Sequence, residues 1–467
     1  MFPIVDTAAA RALGDALRRV SYDEEAIDKL LGEEAWSTAL EDVPVHERRL
    51  PQSPVATAIR LFFLELPVSA RDAETALGKQ GVDALEQTGL AEVGREVSPR
   101  MRIAPVDTLL LASDRLSTNP TDDPADYVST YSPTARLCDL LTPRPRVARA
   151  LDVGTGNGVH ALLAARHSDY VVATDVNPRA LAFTELNAAL SGLDNVECRR
   201  GSLFEPVAGE QFHLITCNAP FVVSPERRWT YRDGLLDGDE LSERVIRTSV
   251  EHLAEGGLAT LCVSWLGEDI DAPDEHVVEW VSGSGCDVWI LPIDEASPLE
   301  HAERWNAHLA SDSAAYGEAL DRWTSYLDAL NGRVVTEGTV LLHRRKGRNT
   351  VRIDEIEEDE LDTADEQIRR AFATRAVLDG RDLQDLRLRA VDALRIETQL
   401  SRGRVKSARV TLEEGTWPVL DVSPAAAEIV GALDGRRTLR ELSARRDAIA
   451  ACRELLELGA LELRDGP

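Results

Sequence analysis

The residues Leu151-Asp152-Val153-Gly154-Thr155-Gly156-Asn157-Gly158-Val159-His160 follow an apolar run and open a helical pattern. A glycine-rich turn in that context receives a nucleotide. Its glycines permit a sharp turn and let a ligand approach the backbone, since no Cβ intervenes. Asp175, 21 residues beyond Gly154, ends the next β-branched run, followed by Val176 and Asn177. A carboxylate there accepts hydrogen bonds from both hydroxyls of a ribose. Two cofactors compete for such a site. A dinucleotide needs a free helix N-terminus for its pyrophosphate, usually with G-x-G-x-x-G spacing. Here the spacing is G-x-G-x-G, and Asp152 stands two residues ahead of the first glycine. S-adenosylmethionine (SAM) has no phosphate; its ammonium and sulfonium are attracted by an acid beside the turn. The residues favour SAM, with Asp152, Gly154, Thr155, Gly156, Asn157, Gly158, Asp175, Val176 and Asn177 as expected contacts.

A second motif, Asn218-Ala219-Pro220-Phe221, ends a later apolar run, FHLITC. Asn and Pro are ordinary turn residues. The carboxyl end of a parallel strand, however, is where such sheets bind ligands.

DVGTGNG, Asp175 and NAPF together resemble class I SAM-dependent methyltransferases. The similarity is to members with an (Asn/Asp)-Pro-Pro-(Tyr/Phe) signature after the fourth strand. These are release-factor glutamine, small-subunit ribosomal RNA guanine and adenine-amino DNA methyltransferases. Residues 232–246, RDGLLDGDELSERVI, are similar to a glycine-containing segment of the release-factor group. The resemblance implies methyl transfer to a planar amide or amino nitrogen. That reaction is an in-line displacement at a sulfonium carbon, so positioning supplies most of the effect. Such a nitrogen has a delocalised lone pair, and two acceptors on its N–H groups draw it out of conjugation. By the resemblance, the Asn218 side-chain oxygen and the Ala219 carbonyl are those acceptors, with Asn218 also facing SAM. Phe221 stacks on the target.

The sequence departs from the family at Ala219, where relatives carry proline. The carbonyl survives, the locked φ does not, and Pro220 keeps Ala219 extended. A looser clamp is expected. Ser202 and Leu203 replace the Asp-Leu that meets the adenine in many relatives. Ser202 is expected to bond its amino group and Leu203 to cover its ring. Tyr131-Ser132-Pro133-Thr134 either closes over the methionine end or simply caps the next helix. Arg232, on the loop after NAPF with Arg227 and Arg228, is the expected substrate-gripping residue. His160 and His213 read as structural.

Seven β-branched runs between residues 149 and 345 alternate with helical patterns. The expected fold is α/β, a Rossmann-like, seven-stranded, mostly parallel sheet. The expected division is a helical, winged-helix-like domain over 1–115 and the methyltransferase domain over 116–347, with a helical insertion near 298–331. An acidic linker over 348–367 and a small α+β, winged-helix-like domain over 368–467 follow.

Composition bounds the rest. With 467 residues, 43% hydrophobic and 28% charged, the chain reads as globular with several domains. No apolar run approaches the roughly 20 residues of a membrane span, and no secretory signal is read at the start. A cytoplasmic protein is expected. The six cysteines are scattered singly, so neither metal site nor disulfide framework is indicated. The formal charge of −29 disfavours bulk nucleic-acid binding. The local exception is Arg402, Arg404, Lys406, Arg409, Arg436, Arg437, Arg440, Arg445 and Arg446. The expected function is a SAM-dependent N-methyltransferase acting on a protein side chain or nucleobase, with protein or RNA as partner. A small-molecule methyltransferase and a SAM-binding regulator are the alternatives, and Asn218 argues for an enzyme.

Overall fold

The structure, a computed structural model, describes residues 2–32, 35–36, 42–116, 124–218, 220–229, 232–233, 236–356, 361–442 and 445–464. Its centre is one sheet, whose strands we number from the start of the central region. They are β1 (Val147–Val153), β2 (Ser168–Asp175), β3 (Val196–Arg200), β4 (Phe212–Cys217), β5 (Leu253–Gly267), β6 (Cys286–Ala296), β7 (Val334–Arg344) and β8 (Val351–Ile353). The order is β8-β6-β7-β5-β4-β1-β2-β3. β7 runs antiparallel to β5 and β6, and the other pairs are parallel.

The sheet therefore has eight strands, not the seven expected. The eighth falls within 348–367, the stretch expected to be a solvated acidic linker. There Val351 and Ile353 pair with Val288 and Ile290 at the sheet edge. Ile356, Leu361 and Ala364 are buried beyond it, and the helix Asp365–Leu378 begins inside the same stretch. Apolar residues at those few positions outweigh the acids around them.

Helices α1 (Pro133–Leu140), α2 (Val159–Ala165), α3 (Pro178–Ser191), α4 (Glu240–His252) and α5 (Glu275–Val281) accompany the strands. The insertion forms α6 (Pro298–Asn306) and α7 (Ser313–Ala329) between β6 and β7. The strand runs are apolar because both faces are covered. Adjacent residues point to opposite faces: Ala150, Val171 and Leu214 join one core, and Leu151, Val172 and Ile215 the other.

The N-terminal region has helices, a small sheet of Val68–Ser69, Glu96–Pro99 and Ala91–Val93, and the hairpin Arg102–Val106/Leu109–Ser113. It packs on α3, whose buried Asn187 accepts from Ala112 N (2.8 Å) and donates to Ala112 O (2.9 Å) and Asn157 O (2.8 Å). One side chain thus ties this region to the glycine turn. No helix among the described residues is long and apolar enough to cross a membrane.

Candidate functional site

A cavity of about 300 Å³ opens at the carboxyl ends of β1, β2 and β4. Gly154, Gly156 and Gly158 all adopt the left-handed region, with φ +69°, +57° and +89°. Gly154 N and Thr155 N both donate to Thr174 O at 2.9 Å, fastening the turn to β2. A Cβ on Gly156 would meet nothing within 4 Å, so this backbone fronts open space. Gly158 differs: a Cβ there would lie 2.8 Å from Thr184 Cγ2. It does not line the cavity, and its glycine serves the contact with α3, contrary to the expected cofactor role.

Asp152 also requires correction. It is 1% exposed and lies beneath the turn. One oxygen accepts from Thr155 Oγ1 (2.6 Å) and Ala161 N (3.2 Å), the other from Thr216 Oγ1 (2.8 Å). Burial raises its pKa, opposed by His160 and these donors. Asp152 braces the turn and does not line the cavity.

Thr155, Asn157, Asp175, Val176, Asn177, Ser202 and Leu203 line the cavity with Gly154 and Gly156. Asp175 accepts from Gly156 N (3.0 Å) and Asn177 N (2.8 Å), one oxygen each, which leaves both oxygens with acceptor capacity. Burial raises its pKa. Asn157 donates to Ser129 O (3.0 Å) and Asn177 to Asp126 O (3.0 Å). These bonds hold Tyr127, Val128, Ser129 and Thr130 as the facing wall, which sequence reasoning missed. Ser132 lines the cavity and caps α1 by accepting from Ala135 N (3.2 Å).

Asn218 and Pro220 stand on the same wall. The Asn218 carboxamide has no hydrogen-bond partner among the described residues. Ala219, the second expected acceptor, lies outside the described residues. Phe221 is not on this cavity. It lines a second, also about 300 Å³, with Pro133, Thr134, Cys262, Asp294, Arg304 and Glu337 among its neighbours. Its carbonyl accepts from Ser264 Oγ. The 218–221 loop and the first turn of α1 contribute to both cavities.

Arg232, expected to grip substrate, is 7% exposed and committed internally. It donates to Asp233 (2.7 Å) and Glu226 (2.9 Å) and lies over the Trp229 ring at 4.2 Å. Asp233 lines the cavity in its place, accepting also from the backbone of Arg228 and Trp229. The insertion braces this loop. His301 on α6 donates Nε2–H to Val223 O (2.9 Å), and Arg322 on α7 donates to Glu226 (2.9 Å). Burial pushes His301 down to about 4, so it is neutral at pH 7. Burial works to raise Glu226, but Arg322 and Arg232 outweigh it and hold its carboxyl low.

His160, Leu236, Leu241 and Arg244 complete the lining. The DG segment holds Asp233, Leu236, Leu241 and Arg244, the only signal that pointed to them. Thr130 Oγ1 and His160 Nε2 are buried with no partner. Free acceptors on Asp175, open backbone at Gly156 and these two polar atoms fit a nucleoside carrying an amino-acid tail.

Residues 133–264 match the family model described as "Methyltransferase small domain", and residues 19–102 match a "Domain of unknown function (DUF7059)". The chain is 37% identical over 174 residues to the ribosomal protein uL3 glutamine methyltransferase of Bradyrhizobium diazoefficiens, across 33% of this chain and 54% of that one. It is 34% identical over 178 residues to the protein of that name from Xanthomonas campestris, across 34% and 56%. It is 32% identical over 132 residues to the release factor glutamine methyltransferase of Geobacter sulfurreducens, across 26% and 46%. The chain spans about half the length of the curated relatives it matches.

Proposed function

We propose, from the premise that residues 133–264 belong to the class I methyltransferases, that this protein is a SAM-dependent N-methyltransferase. Its acceptor is the side-chain amide nitrogen of a glutamine in a protein. The observation that carries this reading is Asn218: an uncommitted carboxamide on the wall that also holds the glycine turn and Asp175. The glutamine target follows from the names of the relatives, both of which act on proteins of translation. The charge of −29 favours a protein acceptor over a nucleobase. The cytoplasm is the place of action on this reading.

Asp175 would hold the ribose hydroxyls, Ser202 and Leu203 the adenine, and the 154–156 backbone with Ser129 and Thr130 the methionine end. When bound, SAM supplies an electrophilic methyl carbon on a sulfonium. The protein's own part is positional. Asn218 Oδ1 accepts one N–H of the incoming amide and the Ala219 carbonyl the other, which turns the nitrogen lone pair out of conjugation. Pro220 fixes the path between them. The acceptor side chain enters from the second cavity, past Phe221. His301, Glu226 and Arg232 keep the loop that bears Asn218 in register. A regulator that only senses SAM has no use for an uncommitted acceptor at this place.

The test is incubation of the protein with methyl-labelled SAM and cell extract, separated into protein, RNA and small molecules. Label on protein, mapped by peptide mass spectrometry to a glutamine side chain, is the expected result. Label confined to RNA or small molecules would contradict the proposal.

A further inference from the structure

The C-terminal region carries a projecting arm that methyl transfer does not use. Strands β9 (Leu394–Ser401) and β10 (Arg404–Leu412) form a hairpin, paired from Leu394↔Leu412 to Ser401↔Arg404. A third strand, β11 (Val419–Val422), supports only Ala408–Thr411 of β10. Every residue from Glu397 to Ser407 is exposed, so both faces of the hairpin end are in solvent. A two-stranded hairpin that buries nothing gains little stability of its own. Ser407 Oγ to Gln399 (3.1 Å) is a cross-strand side-chain bond that helps hold it.

Charge is reversed on this arm. The chain has 81 acidic residues, yet none lies between Thr398 and Ala408, where Arg402, Arg404 and Lys406 stand. The neighbouring cations are neutralised: Arg409 by Asp421, Arg437 by Asp434, Arg440 by Asp382 and Asp385, and Arg445 by Asp447. The three arm cations have no ion-pair partner among the described residues. Leu400, 69% exposed, and Val405, 37% exposed, accompany them at the tip. Arg404 and Lys406, two apart on one strand, lie on the same face about 7 Å apart.

We infer that this arm is a docking element for single-stranded RNA. Regularly spaced, unneutralised cations meet successive phosphates, and the exposed Leu400 and Val405 offer apolar contact to unstacked bases. Only a single strand presents such bases, and the deep, narrow major groove of an RNA duplex excludes a ribbon. The acidic surface of the rest of the chain repels the same polyanion and confines contact to the arm. This inference stands apart from the methyl-transfer reading, and either can fail without the other.

The experiment is fluorescence anisotropy of a labelled oligouridine with the full-length protein over a range of salt. Three phosphate contacts give a slope of log K against log salt of about −2. The variant Arg402→Gln/Arg404→Gln/Lys406→Gln should bind at least about tenfold more weakly with the slope nearly abolished. Its thermal melt and SAM binding should match the unsubstituted protein. Duplex RNA and duplex DNA of equal length should bind more weakly. Unchanged oligouridine affinity in the variant, no binding at low salt, or preference for a duplex would each overturn the inference.

Discussion

His301 is the joint between the helical insertion and the loop that carries Asn218, and its removal should separate turnover from cofactor binding. It is 1% exposed, and its Nε2–H bonds the Val223 carbonyl at 2.9 Å. Burial lowers its pKa from the ordinary 6.5 to about 4, against the opposing effect of that hydrogen bond. The unfolded chain therefore takes up a proton below pH 6.5 that the folded chain refuses. The stability this residue confers is complete above pH 6.5 and is lost as the pH falls toward 4. At about 1.4 kcal/mol per pH unit, the loss is about 2 kcal/mol by about pH 5. His301→Gln keeps an N–H donor near the same place and cannot titrate. Denaturant melts of the two proteins should agree near neutrality and diverge by about that amount as the buffer is acidified, the variant being flatter. His301→Ala leaves the Val223 carbonyl unsatisfied, at about 1–3 kcal/mol. Methyl transfer should fall about tenfold or more while SAM affinity, set by the distant turn, holds. The reasoning is refuted if the glutamine variant tracks the parent's acid curve, or if the alanine variant loses SAM affinity as much as turnover.

Other consequences can be measured independently. Asp175→Ala removes the proposed ribose acceptor and strands the Gly156 and Asn177 N–H groups, so calorimetry should show SAM binding weakened about 10- to 100-fold. Because burial raises the Asp175 pKa, SAM affinity should decline on acidification sooner than an ordinary carboxylate would dictate, and should do so less in that variant. Gly158→Ala combines φ +89° with a Cβ 2.8 Å from Thr184, and should cost about 2–4 kcal/mol, read as a lowered Tm. Gly156→Ala, with nothing near its Cβ, should show its larger effect in SAM affinity; a stability loss equal to that at Gly158 would contradict this division.

The seven long strands were legible because parallel strands covered on both faces must be apolar throughout, as β4 and β5 are. β8 was not legible: three residues between charged neighbours carry too little pattern, and backbone pairing with β6 decides the matter. The cofactor wall was partly readable from the glycines and Asp175, whose roles are set by local backbone. Asp152 was misread because its partner Thr216 comes from another strand, 64 residues on. Arg232 was misread for the same reason. Its engagement with Glu226 and Trp229 depends on how the loop folds back, which no spacing encodes. The facing wall of Tyr127–Thr130 has no periodicity, and the side chains of Asn157 and Asn177 hold it in place.

The central claim is that the side-chain oxygen of Asn218 aims the acceptor nitrogen at the methyl donor. Its most direct measurement is SAM binding and single-turnover methyl transfer to extract protein, made side by side on Asn218→Ala. Removing one preorganised partner of the reacting group should slow transfer about 100- to 1,000-fold while SAM affinity stays within about twofold. Transfer at the parent rate, or a loss of SAM binding large enough to account for the slower rate, would contradict the account.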